Sequence, residues 1–238
     1  AYSPDSTAVV FDMTEFFLTD DEQLSPFSAY APITWGGWWL VKDFKKDKSQ
    51  LGKVKAFADN VSVQTSLSYE VNVRDGSYYY VYKMPFTSLM TRSFILLPEE
   101  PMRPRVADPR LGVSFMKVAH FKHDRKGLES TFYTQRWRLE PVDEIAFRQG
   151  DLVEVKKPIV FYMDTLMPRE WKSYIREGAE AWNAAFEKIG FKNVVQVVDF
   201  PRNDPDFNAN NIKYSTIRYA PLWLDMQSSM HIDPRTGE

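Results

Sequence analysis

Residues 158–198 change period twice, and that pattern narrows the possible folds more than any other part of the chain. Ile159, Val160, Phe161, Tyr162 and Met163 form a short, continuously apolar run, as a strand buried on both faces does. Pro168 follows, suited to a first helical position, with Glu170 in the first turn where negative charge is favoured. Trp171, Tyr174, Ile175, Trp182, Phe186 and Ile189 then recur at helical spacing. The opposite side carries Lys172, Arg176, Glu180, Asn183 and Glu187, read as a solvent face. Gly190 fits the position after a helix end, with Phe191 as its apolar contact. Residues 194–198 are again an apolar strand run, interrupted only by Gln196. Strand, long helix and strand make a βαβ unit, which demands parallel pairing and a right-handed crossover. Residues 212–219 read as a third strand and residues 228–232 as a fourth.

The preceding two-thirds reads differently. Residues 7–11 are a short apolar run, and residues 13–18 fit a helical turn or a bent strand. Val61, Val63, Thr65, Leu67, Tyr69, Val71 and Val73 alternate at period two. Asp75-Gly76 is hairpin chemistry, and Tyr78, Tyr80 and Tyr82 continue as a return strand. Pro98, Pro101, Pro104 and Pro109 interrupt pairing, because proline donates nothing to a ladder. Residues 113–121 and 130–139 flank a turn at 123–127 and predict a second hairpin, with Gly127 at a positive φ. The expected fold class is α+β: a mainly-β domain over residues 1–155, then a second domain over 156–238.

Hydrophobic residues make up 44% of the 238, enough for one large core or two modest ones. A formal net charge of −2 with scattered Lys and Arg gives no basic stripe, so nucleic acid is not expected as a partner. No apolar run reaches transmembrane length. Cysteine is absent, which excludes disulfides, thiolate metal sites and cysteine nucleophiles. The chain begins with Ala1 rather than Met, which reads as a processed or excised piece.

Three histidines are present, His120, His123 and His231, and no His-Glu-x-x-His occurs. His120 and His123 fall on a strand, where an odd separation sends side chains to opposite faces. They are read as surface or turn residues, and His231 as a strand residue beside an edge. No metal ligand and no catalytic residue is assigned in this chain. Asp20-Asp21-Glu22 and Asp143-Glu144 read as solvated loop charge. Trp35, Trp38 and Trp39 either pack in a core or an interface, or stack on a sugar or peptide. Asp233-Pro234-Arg235-Thr236-Gly237-Glu238 is strong turn chemistry that predicts a returning strand, so the chain reads as cut within a hairpin.

Several segments resemble a large bacterial zinc-dependent metalloprotease family, in which a β-rich domain precedes a metzincin-like peptidase domain. They are Asp108-Pro109-Arg110-Leu111-Gly112 and Gln135-Arg136-Trp137-Arg138-Leu139-Glu140-Pro141, then Pro158-Ile159-Val160-Phe161-Tyr162-Met163-Asp164 and Glu177-Gly178-Ala179-Glu180-Ala181-Trp182-Asn183. Tyr214-Ser215-Thr216-Ile217-Arg218-Tyr219 and the final turn complete the set. Gln227-Ser228-Ser229-Met230 departs from the family, which tends to carry glycine there.

The resemblance implies a peptidase domain begun but not completed within residues 156–238, as β-α-β-β-β. It implies an exported parent that cleaves peptide bonds, with its zinc motif downstream of Glu238 and no zinc in this chain. Ser229, Met230, His231 and Ile232 would then be the cleft edge to which a peptide substrate adds as a strand. Without its hairpin partner that edge is expected to be disordered or paired with a neighbouring molecule. The alternative to a peptidase fragment is a non-catalytic cell-surface module that binds glycan or protein.

Overall fold

The computed structural model describes residues 3–21, 25–27, 39–121, 127–201, 204, 207–219 and 230–238. The chain divides into two compact units, Ala1–Ile95 and Leu96–Glu238. The β-rich character expected of residues 1–155 runs through the first and into the second.

Among its described residues the first unit carries a short helix, α1 (Thr14–Phe17), a 3-10 turn at Lys46–Lys48 and a four-stranded antiparallel sheet. Residues 7–11 form no strand, and Val9, Val10 and Phe11 are exposed. The strands are β1 (Trp39–Phe44), β2 (Gln50–Ala56), β3 (Asn60–Asp75) and β4 (Tyr78–Ile95). The alternation read in the sequence is that of β3. Val63, Thr65, Leu67, Tyr69 and Val71 are buried on one face, while Gln64, Ser66, Ser68 and Glu70 are partly exposed on the other. β3 and β4 meet at Asp75↔Tyr78, as Asp75-Gly76 predicted. β1 and β2 share the opposite side of β3, one along each half. Leu67, Tyr69 and Val71 form the core, with Leu18, Phe27, Leu40, Phe44 and Met90 against them.

The second unit begins with the proline-rich crossing, where residues 96–105 make no strand. β5 (Phe115–Phe121) and β6 (Leu128–Thr134) are the second hairpin. Its turn, including His123, lies outside the described residues apart from Gly127, which has φ 147°. Helix α2 (Glu144–Gln149) is capped by Asp143, whose carboxylate accepts from Ile145 and Ala146 N–H at 2.9 and 3.0 Å.

β7 (Val153–Glu154), β8 (Ile159–Met163), α3 (Arg169–Glu180), α4 (Asn183–Glu187), β9 (Phe191–Lys192), β10 (Val195–Asp199) and β11 (Ser215–Ile217) follow. β8 and β10 pair in parallel on either side of the helical segment, and β11 pairs in parallel with the other side of β8. The sheet order is therefore β10-β8-β11. Pro168 is the residue just before α3 rather than its first residue.

Two cores cover this sheet. Val153, Val155, Ile159, Phe191, Val194 and Val195 form one; Met163, Met167 and Val197 form the other, joined by Ile175, Ala179 and Ile217. Gly190 has φ 93°, and a Cβ there would sit 2.8 Å from the Phe147 ring, so the helix exit requires glycine. The strand expected at residues 228–232 is not seen in its described part: Met230, His231 and Ile232 pair with no strand, and Ser228 and Ser229 lie outside the described residues.

Candidate functional site

The helical segment does not present the face that its sequence pattern predicts. Lys172, Ile175, Arg176, Ala179, Glu180, Asn183 and Phe186 are the partly buried positions. Trp171, Tyr174, Trp182 and Ile189 are exposed. The reason lies in the outer edge of β10, whose backbone groups have no strand beside them among the described residues. Polar side chains supply the missing partners. Asn183 Nδ2 donates to Val195 O at 2.9 Å, and Val195 N–H donates to Asn183 Oδ1 at 2.9 Å. Val197 N–H donates to Glu180 Oε1 at 3.0 Å, and Arg176 Nε donates to Val197 O at 3.1 Å.

Arg176, Glu180 and Asn183 lie one helical turn apart in succession, so a single stripe of α3–α4 serves as a surrogate strand. A buried backbone group left without a partner costs about 1–3 kcal/mol, similar to the gain from burying one aromatic side chain, and this one stripe satisfies four such groups together, at Val195 and Val197. Lys172 adds an ion pair to Asp199 at 3.1 Å. The same stripe borders a cavity of about 410 Å³ lined by Glu154, Pro158, Glu180, Asn183, Asn193 and Gln196. Its other amides and carboxylates are tied to one another and to backbone: Asn193 Nδ2 donates to the Glu154 side chain at Oε1, and Gln196 Nε2 donates to the backbone at Asn193 O.

Of the residues expected to face substrate, Met230 and His231 are exposed and Ile232 is partly buried. They lead into the terminal turn, which is anchored rather than frayed. Asp233 N–H donates to Glu238 O at 2.8 Å, closing a reversal of the chain. Asp233 and Thr236 are 3% and 2% exposed. Arg235 doubles back on the Asp233 carboxylate and donates Nη2 to Pro98 O at 2.9 Å. Arg136 N–H donates to Gly237 O at 2.9 Å. Arg138 Nε faces Glu238 Oε2 at 3.5 Å. The hydrogen bonds from Arg235 hold the Asp233 carboxyl below its usual range, against the opposing effect of burial.

Two features escape sequence reasoning. Asp108-Pro109-Arg110-Leu111-Gly112 folds as the terminal turn does: Arg110 N–H donates to Asp108 Oδ1 at 3.0 Å, the guanidinium doubles back, and Gly112 has φ 62°. The repeated Asp-Pro-Arg-x-Gly is the signal that would have revealed it. The second is Asp20, read as solvated loop charge. It accepts from Tyr69 Oη at 3.0 Å, Ser25 Oγ at 2.7 Å and Lys42 Nζ at 3.0 Å. Burial raises its pKa, but bonds from Lys42, Ser25 and Tyr69 prevail and the net direction is downward. Tyr69 moves upward, through burial and then through Asp20. Lys42 also reaches Ser25 Oγ at 2.9 Å. A lysine beside a serine has the make-up of a nucleophile and its base, but here the Lys42 amine is paired with the Asp20 carboxylate at 2.8 Å and Ser25 Oγ donates to that same carboxylate, so both are tied to Asp20. The cluster is a brace for the first unit's core.

His120 lies on β5 and approaches no metal-ligand set. Among the described residues no group of three or more His, Asp or Glu side chains could hold a metal ion, so no step through zinc is assigned to them. Among the same residues no helix is long and apolar enough to cross a membrane, a statement about helices alone. Trp39 begins β1 and is 56% exposed, while Trp35 and Trp38 lie outside the described residues.

Comparison with curated proteins and with solved structures returns no match. The profile of one family, described as a domain of unknown function (DUF5117), matches residues 1–142, which takes in the whole first unit and continues through the β5–β6 hairpin of the second. With more than half its length matched, the chain belongs to the DUF5117 family.

Proposed function

We propose that this chain is the leading part of an exported zinc-dependent endopeptidase, in which residues 156–238 begin a metzincin-like catalytic domain. The observation that carries the reading is the parallel order β10-β8-β11, with a helix crossing between β8 and β10. The sequence resemblances in β8, α3 and β11 fall on those same elements. In this reading the parent cleaves peptide bonds with zinc-activated water, and the general base and metal ligands come from residues beyond Glu238. This chain supplies scaffold: the sheet, its helix and the approach to one cleft wall through Met230, His231 and Ile232.

The test is a protein extended past Glu238, assayed for bound zinc and for casein hydrolysis. Zinc near one per chain with hydrolysis abolished by a chelator is the expected result. An extended protein that carries His-Glu-x-x-His yet binds no zinc overturns the reading.

One observation favours a second reading, a glycan- or protein-binding β module. Trp39 and Tyr79 are exposed and flank Arg74 in a single cross-strand row, through the pairs Trp39↔Arg74 and Arg74↔Tyr79. Exposed aromatic faces beside a cation are suited to sugar stacking. Residues 1–155 on a glycan array distinguish the two, since only the second reading expects binding that Trp39→Ala removes.

A further inference from the structure

Trp39, Arg74 and Tyr79 stand in one row across three adjacent strands, paired as Trp39↔Arg74 and Arg74↔Tyr79. Alternation puts them on the face away from the core of Leu67, Tyr69 and Val71, and all three are exposed. Two inter-strand spacings, about 9.5 Å, separate the end residues. Beyond Tyr79 the strand is irregular. β4 carries one residue more than β3 between Arg74↔Tyr79 and Val73↔Val81, and one more again before Val71↔Met84. Bulges of this kind re-aim side chains. Here they bring the Tyr82 ring to 5.1 Å from that of Tyr79, edge to face, and set Lys83 Nζ 5.3 Å from the Tyr82 ring. Lys83 is held at φ 50°, a left-handed state costly for a residue with a side chain, while its N–H donates to Asn72 Oδ1 at 2.8 Å.

The row carries charge without its complement. The Arg74 side chain makes no ion pair or hydrogen bond among the described residues, and Lys83 adds a second exposed cation. The acids that β1 and β3 place on this face, Asp43 and Glu70, lie opposite each other four residues back along β3, about 13 Å from Arg74. Asp75, next along β3, falls on the other face by alternation. Exposed rings on either side of a free guanidinium match a sugar that bears an acid group. The rings take its apolar C–H side, and the planar guanidinium fork takes a carboxylate through two hydrogen bonds. The row lies on the face of the sheet, where the ladder is already paired, so an extended peptide gains no strand there. Two cations on a chain of net charge −2 fall short of the basic track that a single-stranded nucleic acid follows. We infer, on the reading in which this face binds glycan, that the glycan is an acidic polysaccharide. Its sugar rings stack on Trp39 and Tyr79, a ring-borne carboxylate takes Arg74 between them, and Lys83 beside Tyr82 receives a further acid group along the polymer.

The test is titration calorimetry of the full chain with two uronate polymers, polygalacturonate and alginate, and with methyl-esterified polygalacturonate, mannan and oligo(dT). At least one uronate polymer is expected to bind. The ester, which keeps the rings and loses the charge, is expected to bind at least about tenfold more weakly. Arg74→Gln and Trp39→Ala should each weaken binding of the acidic polymer about tenfold, and Lys83→Gln about threefold. Lys53→Gln, which removes an equal charge from β2, should leave it unchanged. Circular dichroism checks that each variant is folded, and should Trp39→Ala fail to fold, Arg74→Gln decides. Ester or mannan bound as tightly as the uronate polymers, with no loss in Arg74→Gln, overturns the acidic assignment and leaves the glycan reading standing. Binding of none of these polysaccharides overturns both. Oligo(dT) bound as tightly as the uronate polymers, or Lys53→Gln as damaging as Arg74→Gln, also overturns the inference, because charge alone then suffices.

Discussion

The Asn183 carboxamide closes a two-point hydrogen bond on the backbone of Val195, donating to its carbonyl and accepting from its N–H, both at 2.9 Å. A strand partner would make the same pair of bonds. With Glu180 and Arg176 repeating the device at Val197, the outer edge of β10 is satisfied from a helix and presents no free ladder.

Asn183→Ala is expected to destabilise the second unit by about 2 kcal/mol, the loss of two partly buried hydrogen bonds. Hydrogen exchange checks the mechanism. The Val195 amide should lose protection in Asn183→Ala, and the Val197 amide in Glu180→Ala. Glu187→Ala, on the exposed side of α4, should change stability by no more than about 0.5 kcal/mol. An unchanged Val195 amide in Asn183→Ala would show that the edge does not depend on this side chain.

The paired turns give an internal control for packing against backbone strain. Gly112 and Gly237 have φ 62° and 79°, so alanine at either pays the left-handed penalty. A Cβ at Gly112 meets nothing within 4 Å, whereas one at Gly237 lies 2.5 Å from Thr134 O. Gly112→Ala should cost about 1 kcal/mol and Gly237→Ala about 3 kcal/mol or more, read from urea denaturation. Equal costs would place the whole effect in backbone strain.

Acid should loosen the terminal turn. The Asp233 carboxyl is depressed in the folded protein, chiefly by hydrogen bonds from Arg235. A depressed carboxylate contributes stability that is complete above its unfolded value of about 3.9 and is lost as pH falls through the lower folded value. The urea midpoint should therefore fall across and below the ordinary carboxylate range. Asp20 behaves in the same direction in the first unit, where bonds from Lys42, Ser25 and Tyr69 outweigh burial. Asp233→Asn should lower the midpoint at neutral pH and flatten its acid limb. An acid limb as steep as that of the unmodified chain would remove Asp233 from the account.

The family match ends at residue 142, inside the second unit. A chain starting at Leu96 keeps Pro98, Thr134, Arg136 and Arg138 around the terminal turn; one starting at residue 143 loses all four. The longer piece is expected to give dispersed amide resonances for Thr236 and Gly237, and the shorter one to show them collapsed. Dispersed spectra from both would mean that the turn needs no support from residues 96–142.

Legibility in the sequence followed the range of the interactions. β8 was readable because a central strand between two neighbours is apolar throughout, and β10 because its buried positions Val195 and Val197 are apolar on either side of Gln196. The β3–β4 hairpin was readable because Asp75-Gly76 specifies its own corner. The helix face was misread because Arg176, Glu180 and Asn183 look like solvent residues until a strand edge lies beside them. Asp20 was misread because its partners Lys42 and Tyr69 are distant in the chain, and an acidic run gives no sign of them. The expected cleft edge depended on Ser229, outside the described residues, and on Met230, His231 and Ile232, which form no strand.

The two Asp-Pro-Arg-x-Gly turns mark the boundary. Sequence by itself determined their shape, because each is closed by bonds among its own residues: carboxylate to N–H two positions on, guanidinium back to carboxylate, glycine at positive φ. Only the tertiary structure decided their surroundings. The Asp108 side chain is 35% exposed and that of Asp233 4%, although their local sequences are nearly the same. The difference comes from Pro98, Thr134 and Arg136, which folding brings to the second turn from far back in the chain.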